Sequence, residues 1–275
     1  MSKEVNLDIA MEVALPTIKK AAELALEYHK KIDPKNAGSN LGIDTKRPRD
    51  YVTDADKAVQ KMIIEEIQKT YPSHRFIAEE EGSDNLGDPE SPYTWIIDPI
   101  DGTCPFIHGR PHFGTIIALK KDDEVVLGLM YMPLLDELYT CIKGNGAFFN
   151  DKPVVLRNTR NMDDAVLCSN FRRTVDINGI AHLPVILCAN TENYGCAVYE
   201  LGLILQGLND GFYCSGPRLW DIAAGCLMIE EAGGKARYEL KEPDNVRSGV
   251  LCATSTAAIF EELEEFVFNK MKYLS

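Results

Sequence analysis

The middle of the chain constrains the fold most, because it is typical of short strands joined by tight turns. Residues 113–155 contain apolar segments of strand length, separated by turn sequences at residues 121–123 and 143–146. Turns this short join antiparallel strands, whereas parallel strands need a crossover of about a dozen residues or more. The segment therefore predicts a hairpin-rich sheet rather than a simple alternation of strands and crossover helices.

Helical patterns occur in the sequence both before and after this segment. Apolar residues recur at helical spacing over residues 8–31, and again after Thr53, which has capping-box spacing to Asp56. Helices mixed with hairpins predict an α/β (α+β) protein built of layered sheets and helices. Further helices are predicted over residues 192–208, 220–232 and 257–272, and short strands over residues 75–78 and 94–97.

Length and composition narrow the class of protein. The 275 residues are enough for one large domain or two small ones, and we predict a single domain over 1–275 with the option of a subdivision near 150–165. The formal net charge is −13 and there is no run rich in Lys and Arg, which argues against a nucleic-acid partner.

Cysteine usage and hydropathy bear on location. The eight cysteines form no C-x-x-C pair and several lie in apolar runs, which suits buried thiols in a reducing compartment. No apolar stretch approaches the roughly 18 residues that a membrane span needs. We therefore predict a cytoplasmic protein without a membrane partner.

Two carboxylates and two amides follow one another at the end of a predicted strand. Asp98 follows an apolar strand and precedes a proline, and Asp101 comes directly before Gly102 and Thr103. A sharp turn there brings both carboxylates to one side and aims the amides of Gly102 and Thr103 outward at the start of a short helix. Two carboxylates beside a helix N-terminus suit a magnesium ion and a phosphate group.

Each acidic residue also has a purely structural interpretation. The D-P-x-D-G-T sequence consists of residues that favour surface turns. Glu79 is the first of three consecutive acids that can simply be solvated, and Asp221 can cap the helix that follows it. Asp56 can serve only as the capping partner of Thr53. The combination of these segments, rather than any one of them, favours a metal site.

Longer motifs resemble the inositol monophosphatase family. W-I-I-D-P-I-D-G-T-x-x-F-x-H at residues 95–108 resembles the family's first signature, and W-D-I-A-A-G-C-L-M-I-E-E-A-G-G at residues 220–234 resembles its second. Residues 52–56 and 76–80 are similar to its two upstream motifs, in the same order. The resemblance implies a layered αβαβα sandwich, magnesium-dependent hydrolysis of a small phosphorylated metabolite, sensitivity to lithium and a homodimer.

The resemblance also implies roles for the matched residues. The amides of Gly102 and Thr103 would hold phosphate oxygens, and Thr103 and Asp56 would help Glu79 to activate the attacking water. Two or three Mg²⁺ ions would be bound by Glu79, Asp98, the Ile100 carbonyl, Asp101 and Asp221. Substrate contacts would come from Asp101, Glu192, Cys196, Cys214, Arg218 and Asp221.

The substrate stays open between alternatives. Cys214 stands where inositol-specific members carry Glu, which argues against inositol phosphate. H-F-G-T-I-I at residues 112–117 and E-N-Y-G at residues 192–195 resemble the histidinol-phosphatase branch in part, although that branch also usually has this Glu. A non-catalytic metal- or ligand-binding regulatory protein with this fold is a further alternative. The complete set of carboxylates favours an enzyme.

Overall fold

A computed structural model of the protein describes residues 4–33, 35, 41–47, 50–83, 85–170, 187–241 and 247–270. The helices of these residues are α1 (Leu7–His29), α2 (Asp54–Gln68), α3 (Thr103–Ile107), α4 (Ala197–Leu205), α5 (Leu219–Glu231) and α6 (Ala257–Glu265), with a 3₁₀ turn at Met162–Asp164 and a π-helical turn at Phe266–Lys270. The strands of the first half are β1 (Asp44–Arg47), β2 (Asp50–Val52), β3 (Arg75–Ala78), β4 (Tyr93–Asp101), β5 (Gly114–Lys121), β6 (Glu124–Met132), β7 (Glu137–Ile142), β8 (Ala147–Phe149) and β9 (Lys152–Pro153). Those of the second half are β10 (Val166–Asn170), β11 (Asn190–Glu192), β12 (Gly211–Ser215), β13 (Lys235–Lys241) and β14 (Arg247–Thr254).

The strands form two large sheets and one hairpin. The seven-stranded sheet has the order β3-β4-β5-β6-β7-β8-β9 and is antiparallel except for the parallel pair of β3 with β4. In the five-stranded sheet, of order β11-β10-β12-β14-β13, β10 is parallel to both of its neighbours and β14 is antiparallel to both. β1 and β2 form the separate hairpin. The predicted hairpin-rich sheet is confirmed as β5 to β9.

Helices and sheets alternate in five layers. α1 and α2 pack on one face of the seven-stranded sheet, around buried residues such as Ile18, Ile63 and Trp95. α4 and α5 lie between the two sheets in a second apolar cluster, and α6 packs on the outer face of the five-stranded sheet in a third. The predicted αβαβα sandwich is therefore confirmed.

The first turn of α2 carries polar side chains into the interior. Thr53 caps the helix: its hydroxyl accepts from the Ala55 N–H at 3.2 Å, while Asp56 accepts from the Thr53 N–H at 2.7 Å, so the predicted capping box is confirmed. Asp56 and Gln60 lie one turn apart on the face that also buries Val59. Both polar residues therefore point toward the sheet rather than toward solvent.

Three predicted elements differ from the structure. The helix expected from residue 192 begins only at Ala197, because Asn190–Glu192 pairs with β10 as a strand and Gly195 adopts a positive φ of 70° that interrupts a helix. The strand expected over residues 94–97 continues as β4 to Asp101. The helix predicted over residues 257–272 ends at Glu265 and continues as the π-helical turn; residues 271–272 lie outside the described residues.

The two sheets occupy successive parts of the chain. The seven-stranded sheet ends at Pro153 and the five-stranded sheet begins at Val166. This boundary lies near the subdivision considered from the sequence, and the division into domains stays a prediction. Among the described residues, no helix is both long enough and apolar enough to cross a bilayer.

Candidate active site

A bulge in β4 brings two acidic residues to one side of the seven-stranded sheet. Asp98 lies opposite Ile116 on β5 and Asp101 lies opposite Gly114, so three steps along β4 match two along β5. The extra residue belongs to β4 and interrupts the regular pairing. Residues three apart in a regular strand point to opposite faces, and one extra residue reverses this alternation. The turn predicted between Asp98 and Asp101 is therefore a bulge inside a strand.

Asp98 lies at the centre of a cluster of carboxyl groups. Its side chain is buried, and its Oδ1 atom has no hydrogen-bond partner among the described residues. Burial raises the pKa of Asp98 well above its usual value, and the charges of Glu79, Asp101, Asp221 and Asp56 raise it further, in that order. The structure thus brings together the five acidic residues that were predicted for metal binding and catalysis.

Glu79 reaches this cluster through the pairing of β3 with β4. Its backbone N–H donates to the Ile97 carbonyl at 3.2 Å, which extends the parallel ladder one residue beyond β3. Ile97 immediately precedes Asp98, so the ladder places Glu79 beside it. The side chain of Glu79 is half-buried and faces a cleft.

Asp56 approaches the cluster from α2. Its Oδ2 atom accepts hydrogen bonds from both the N–H of Thr53, at 2.7 Å, and the hydroxyl of Thr53, at 2.6 Å. The residue is fully buried and contributes to the raised pKa of Asp98. Its capping role is confirmed, and its catalytic role stays a prediction that this position permits.

Asp101 is fixed by the beginning of α4. Its Oδ2 atom accepts from the Val198 N–H at 2.5 Å and from the Cys196 thiol at 3.2 Å. Burial raises the pKa of the Cys196 thiol well above its usual value, so the sulfur keeps its proton and acts as the donor. Cys196, predicted as a substrate contact, is thus a buried neighbour of Asp101.

Gly102 turns the chain from β4 into α3. Its φ is +83°, and a Cβ there would lie 2.8 Å from the His112 carbonyl oxygen and 2.9 Å from the Cys196 sulfur, so only glycine fits. The hydroxyl of Thr103 donates to the Ile100 carbonyl at 3.2 Å. The predicted short helix is confirmed, and the binding of phosphate by the Gly102 and Thr103 amides stays a prediction.

Asp221 is the third residue of α5 rather than its cap. Its Oδ2 atom accepts from the backbone N–H of Arg218 at 2.9 Å, so it stabilises the first turn of α5 as well as lying near Asp98. The guanidinium carbon of Arg218 lies 5.6 Å from the centre of the Trp220 ring. Beside these residues is a cleft of about 830 Å³, bounded by α2, by Glu79 and the residues after it, and by the start of α5.

The other two predicted substrate residues lie on the five-stranded sheet. Cys214 is buried on β12, and burial first, then the charges of Glu200 and Asp221, raise the pKa of its thiol, which keeps it neutral. Glu192 ends β11, and its Oε2 atom accepts from the Asn209 amide at 3.1 Å and from the Tyr194 hydroxyl at 3.3 Å. The Glu192 carboxylate is therefore hydrogen-bonded to neighbouring side chains, and its contact with substrate stays a prediction.

The donor atoms of the cluster suit a hard divalent cation. The predicted ligands offer only oxygen, and magnesium takes few carboxylates while keeping several waters. A cation also compensates for the buried Oδ1 atom of Asp98 and for the repulsion among its neighbours. Within the described ranges, no three acidic, histidine or cysteine side chains converge on one point by themselves. Asp101 and Asp221 each direct one oxygen to a backbone N–H instead.

Comparison with protein families agrees with this arrangement. The model of the inositol monophosphatase family matches residues 6–267, which include the carboxylate cluster and both sheets. The chain belongs to the inositol monophosphatase family. The resemblance of its motifs and its five-layer fold is thereby confirmed.

Relatives within the inositol monophosphatase family carry two kinds of name. The inositol-1-monophosphatase of Mesorhizobium japonicum is 37% identical over 200 residues, which cover 71% of this chain and 74% of the relative. The Nus factor SuhB of Pasteurella multocida is 34% identical over 229 residues, covering 82% and 83%. The crystal structure of the extragenic suppressor protein suhB of Bartonella henselae superimposes with a TM-score of 0.79 at 30% identity, over 93% of this chain and 97% of that one.

The structure also shows polar residues near the site that the family motifs do not contain. Gln60 on α2 contacts the backbone after Glu79, and Glu200 on α4 accepts from the N–H groups of Tyr194 and Gly195 at 2.9 and 3.1 Å. Gln60 comes four residues after Asp56, so helical spacing could have identified it. Glu200 is a buried acid in an apolar run, which is itself a signal of a specific role.

Proposed function

We propose that the protein hydrolyses a small phosphate monoester with the help of bound magnesium. The observation that carries this proposal is the buried Asp98, whose pKa is raised by the charges of four neighbouring acidic residues, Glu79, Asp101, Asp221 and Asp56. Such a cluster repels a phosphate dianion, so an anionic substrate can bind there only with cations between the two. Membership of a family of phosphatases supports the same reaction.

The residues of the chain have distinct roles in the proposed reaction. Magnesium held by Glu79, Asp98, the Ile100 carbonyl, Asp101 and Asp221 would neutralise phosphate charge and lower the pKa of water. The carboxylate of Glu79 accepts a proton as the water oxygen attacks phosphorus, with Thr103 and Asp56 holding the geometry. The ester P–O bond breaks, the leaving oxygen takes a proton from solvent water to give the free alcohol, and Glu79 returns its proton to solvent.

The residue at position 214 bears on which alcohol the substrate contains. Cys214 presents a neutral, buried thiol where a carboxylate would accept hydrogen bonds from a polyol. A substrate with fewer hydroxyl groups, such as histidinol phosphate, is therefore the alternative to inositol phosphate. Arg218 lines the cleft beside Glu79 and is the residue in the predicted substrate set able to meet an anionic substituent.

A second candidate function is non-catalytic binding. Relatives named Nus factor SuhB match the chain at a level similar to that of the named phosphatases, which supports a regulatory role for this fold. A binding protein does not need every carboxylate, whereas this chain has Glu79, Asp98, Asp101 and Asp221 together. The enzyme is therefore the first proposal. A homodimer and inhibition by lithium are proposed with it on the family resemblance, and a cytoplasmic location on the cysteine usage.

The test is phosphate release from a panel of esters, with magnesium and with a chelator. The panel contains inositol 1-phosphate, histidinol phosphate, fructose 1,6-bisphosphate, glycerol 2-phosphate and 3′-phosphoadenosine 5′-phosphate. We expect magnesium-dependent hydrolysis with a preference for one of the first two esters. A folded protein that binds magnesium and hydrolyses none of them would favour the binding function instead.

A further inference from the structure

A buried glutamine joins α2 to the segment that carries Glu79. The side-chain oxygen of Gln60 accepts from the backbone N–H of Glu80 at 2.8 Å, and its side-chain nitrogen donates to the Glu80 carbonyl at 2.8 Å. The same nitrogen lies 3.5 Å from the Glu81 carbonyl. Gln60 is only 4% exposed, so water does not compete for these bonds.

This pair of hydrogen bonds restrains Glu79 from one side. On the other side, the N–H of Glu79 is bound to the Ile97 carbonyl on β4. The backbone is therefore fixed on both sides of Glu79 in the chain. The N–H of Glu79 is bonded to β4, and the N–H and carbonyl of the next residue, Glu80, are bonded to α2. Two simultaneous bonds from one planar amide fix the orientation of the Glu80 backbone as well as its distance from α2.

The same helix face carries Asp56 one turn earlier. Asp56 and Gln60 therefore move as one rigid unit of α2. Any shift of the Glu79 segment away from α2 would separate Glu79 from Asp56. Metal and catalytic groups keep their function only when they are held close to their working geometry by supporting contacts.

We propose that Gln60 is a positioning residue that sets the Glu79 carboxylate for magnesium binding and for catalysis. The inference rests on the proposed phosphatase function and extends it to a residue outside the family motifs. It predicts that loss of the Gln60 amide weakens magnesium binding even though Gln60 is not among the predicted metal ligands.

The first test replaces Gln60 by an apolar side chain of similar size. Gln60→Leu removes both hydrogen bonds to Glu80, and we expect the magnesium concentration for half-maximal activity to rise about 10–100-fold, as for other groups that orient metal ligands. At saturating magnesium kcat falls, while KM for the ester changes less than about twofold. Gln68→Leu, the same change at the C-terminal end of α2, is the control and leaves both values unaltered.

A second variant keeps the inference testable if Gln60→Leu does not fold. Gln60→Glu retains an acceptor for the Glu80 N–H and loses the donor to the Glu80 carbonyl, so its magnesium requirement should lie between those of the wild type and Gln60→Leu. Unchanged magnesium dependence and kcat in either folded variant would overturn the inference.

Magnesium binding measured by calorimetry separates this inference from the proposed function. If the wild type hydrolyses no ester but binds magnesium, the phosphatase proposal fails, and the affinity of Gln60→Leu for magnesium still tests the role of Gln60. A weaker affinity supports the positioning role, and an equal affinity contradicts it.

Discussion

At the scale of single residues, Asp98 is the position on which the proposed site depends most. It is buried, it lies among four other carboxyl groups, and its Oδ1 atom has no partner in the described part of the chain. An unpaired buried polar atom is destabilising, and the charges of the neighbouring carboxyl groups add to this cost. A cation bound by Asp98 would offset both effects.

Replacing Asp98 should abolish activity without harming the fold. We expect Asp98→Asn to lower the rate of phosphate release more than about 100-fold, because even changes to groups that only orient metal ligands cost about 10–100-fold. Loss of one negative charge relieves repulsion, so the melting temperature in chelator should equal or exceed that of the wild type. Asp163→Asn, at an exposed aspartate, is the control for both measurements. Substantial activity in Asp98→Asn would contradict the proposed ligand set.

The Asp56→Asn variant can separate the capping role of Asp56 from its proposed catalytic role. The amide oxygen of Asp56→Asn can still accept from the Thr53 N–H, so we expect a loss of stability below about 1 kcal/mol, as for weakened helix caps. If Asp56 also orients the attacking water, kcat should fall about tenfold or more. Thermal unfolding and steady-state kinetics on the same sample make the comparison. A loss of stability with normal kcat in the remaining folded protein would leave only the capping role.

The sequence predicted which acidic residues form the carboxylate cluster, but not the hydrogen bonds that hold them in place. The identities and order of Glu79, Asp98 and Asp221 in their motifs were enough to expect that they meet, and the structure brings them together. The contact of Asp101 with Cys196 joins residues 95 apart in the chain. No local pattern encodes such a contact, because it depends on how α4 packs against β4. The same holds for the bonds from Gln60 to Glu80.

At the scale of elements, the bulge in β4 shows why local patterns fail at functional sites. The apolar pattern stops at Asp98 and proline follows, so the sequence predicts that the strand ends there. In the structure β4 continues, because a bulge tolerates proline within a strand and the Pro99 carbonyl accepts from the Thr115 hydroxyl at 2.9 Å. The late start of α4 has a similar cause: β11 is short and polar, so it lacks the alternation that identifies a strand.

His74, which joins β3 to β4 through its side chain, should make the stability of the protein depend on pH. His74, directly before β3, accepts from the indole N–H of Trp95 on β4 at 3.1 Å and stacks between Tyr71 and Tyr93. Burial lowers the pKa of His74 from 6.5 to about 4. Above pH 6.5 the ring is neutral in both states, whereas between pH 6.5 and 4 only the unfolded chain takes up the proton.

The contribution of His74 should therefore be constant above pH 6.5 and lost as the pH falls toward 4. We expect the melting temperature of the wild type to fall over this range more steeply than that of His74→Gln, which cannot be protonated. Thermal unfolding of both proteins at pH 7.5, 6 and 5 measures the difference in slope. Parallel slopes would show that the carboxylates alone determine the acid sensitivity.

At the scale of the whole molecule, the five layers bring together segments that lie far apart in the chain. Glu79 and Asp98 come from the seven-stranded sheet, Asp56 from α2 outside it, and Asp221 from α5 between the sheets. Helix and strand patterns predicted most of these elements, whereas the order of the layers came only from the resemblance to a family. Layer order depends on which apolar faces meet, and several orders bury similar areas.

Binding of magnesium at the carboxylate cluster should stabilise the whole protein. A ligand that binds only the folded state adds about 2.7 kcal/mol at 100 times its dissociation constant, which raises the melting temperature of a chain of this size by roughly 5 °C. Because the net charge is −13, any salt also stabilises the fold by screening, so potassium chloride at equal ionic strength is the necessary control. We expect magnesium to raise the melting temperature beyond this control in the wild type but not in Asp98→Asn. An equal rise in both proteins would mean that magnesium acts only by screening, and that the carboxylate cluster is not its binding site.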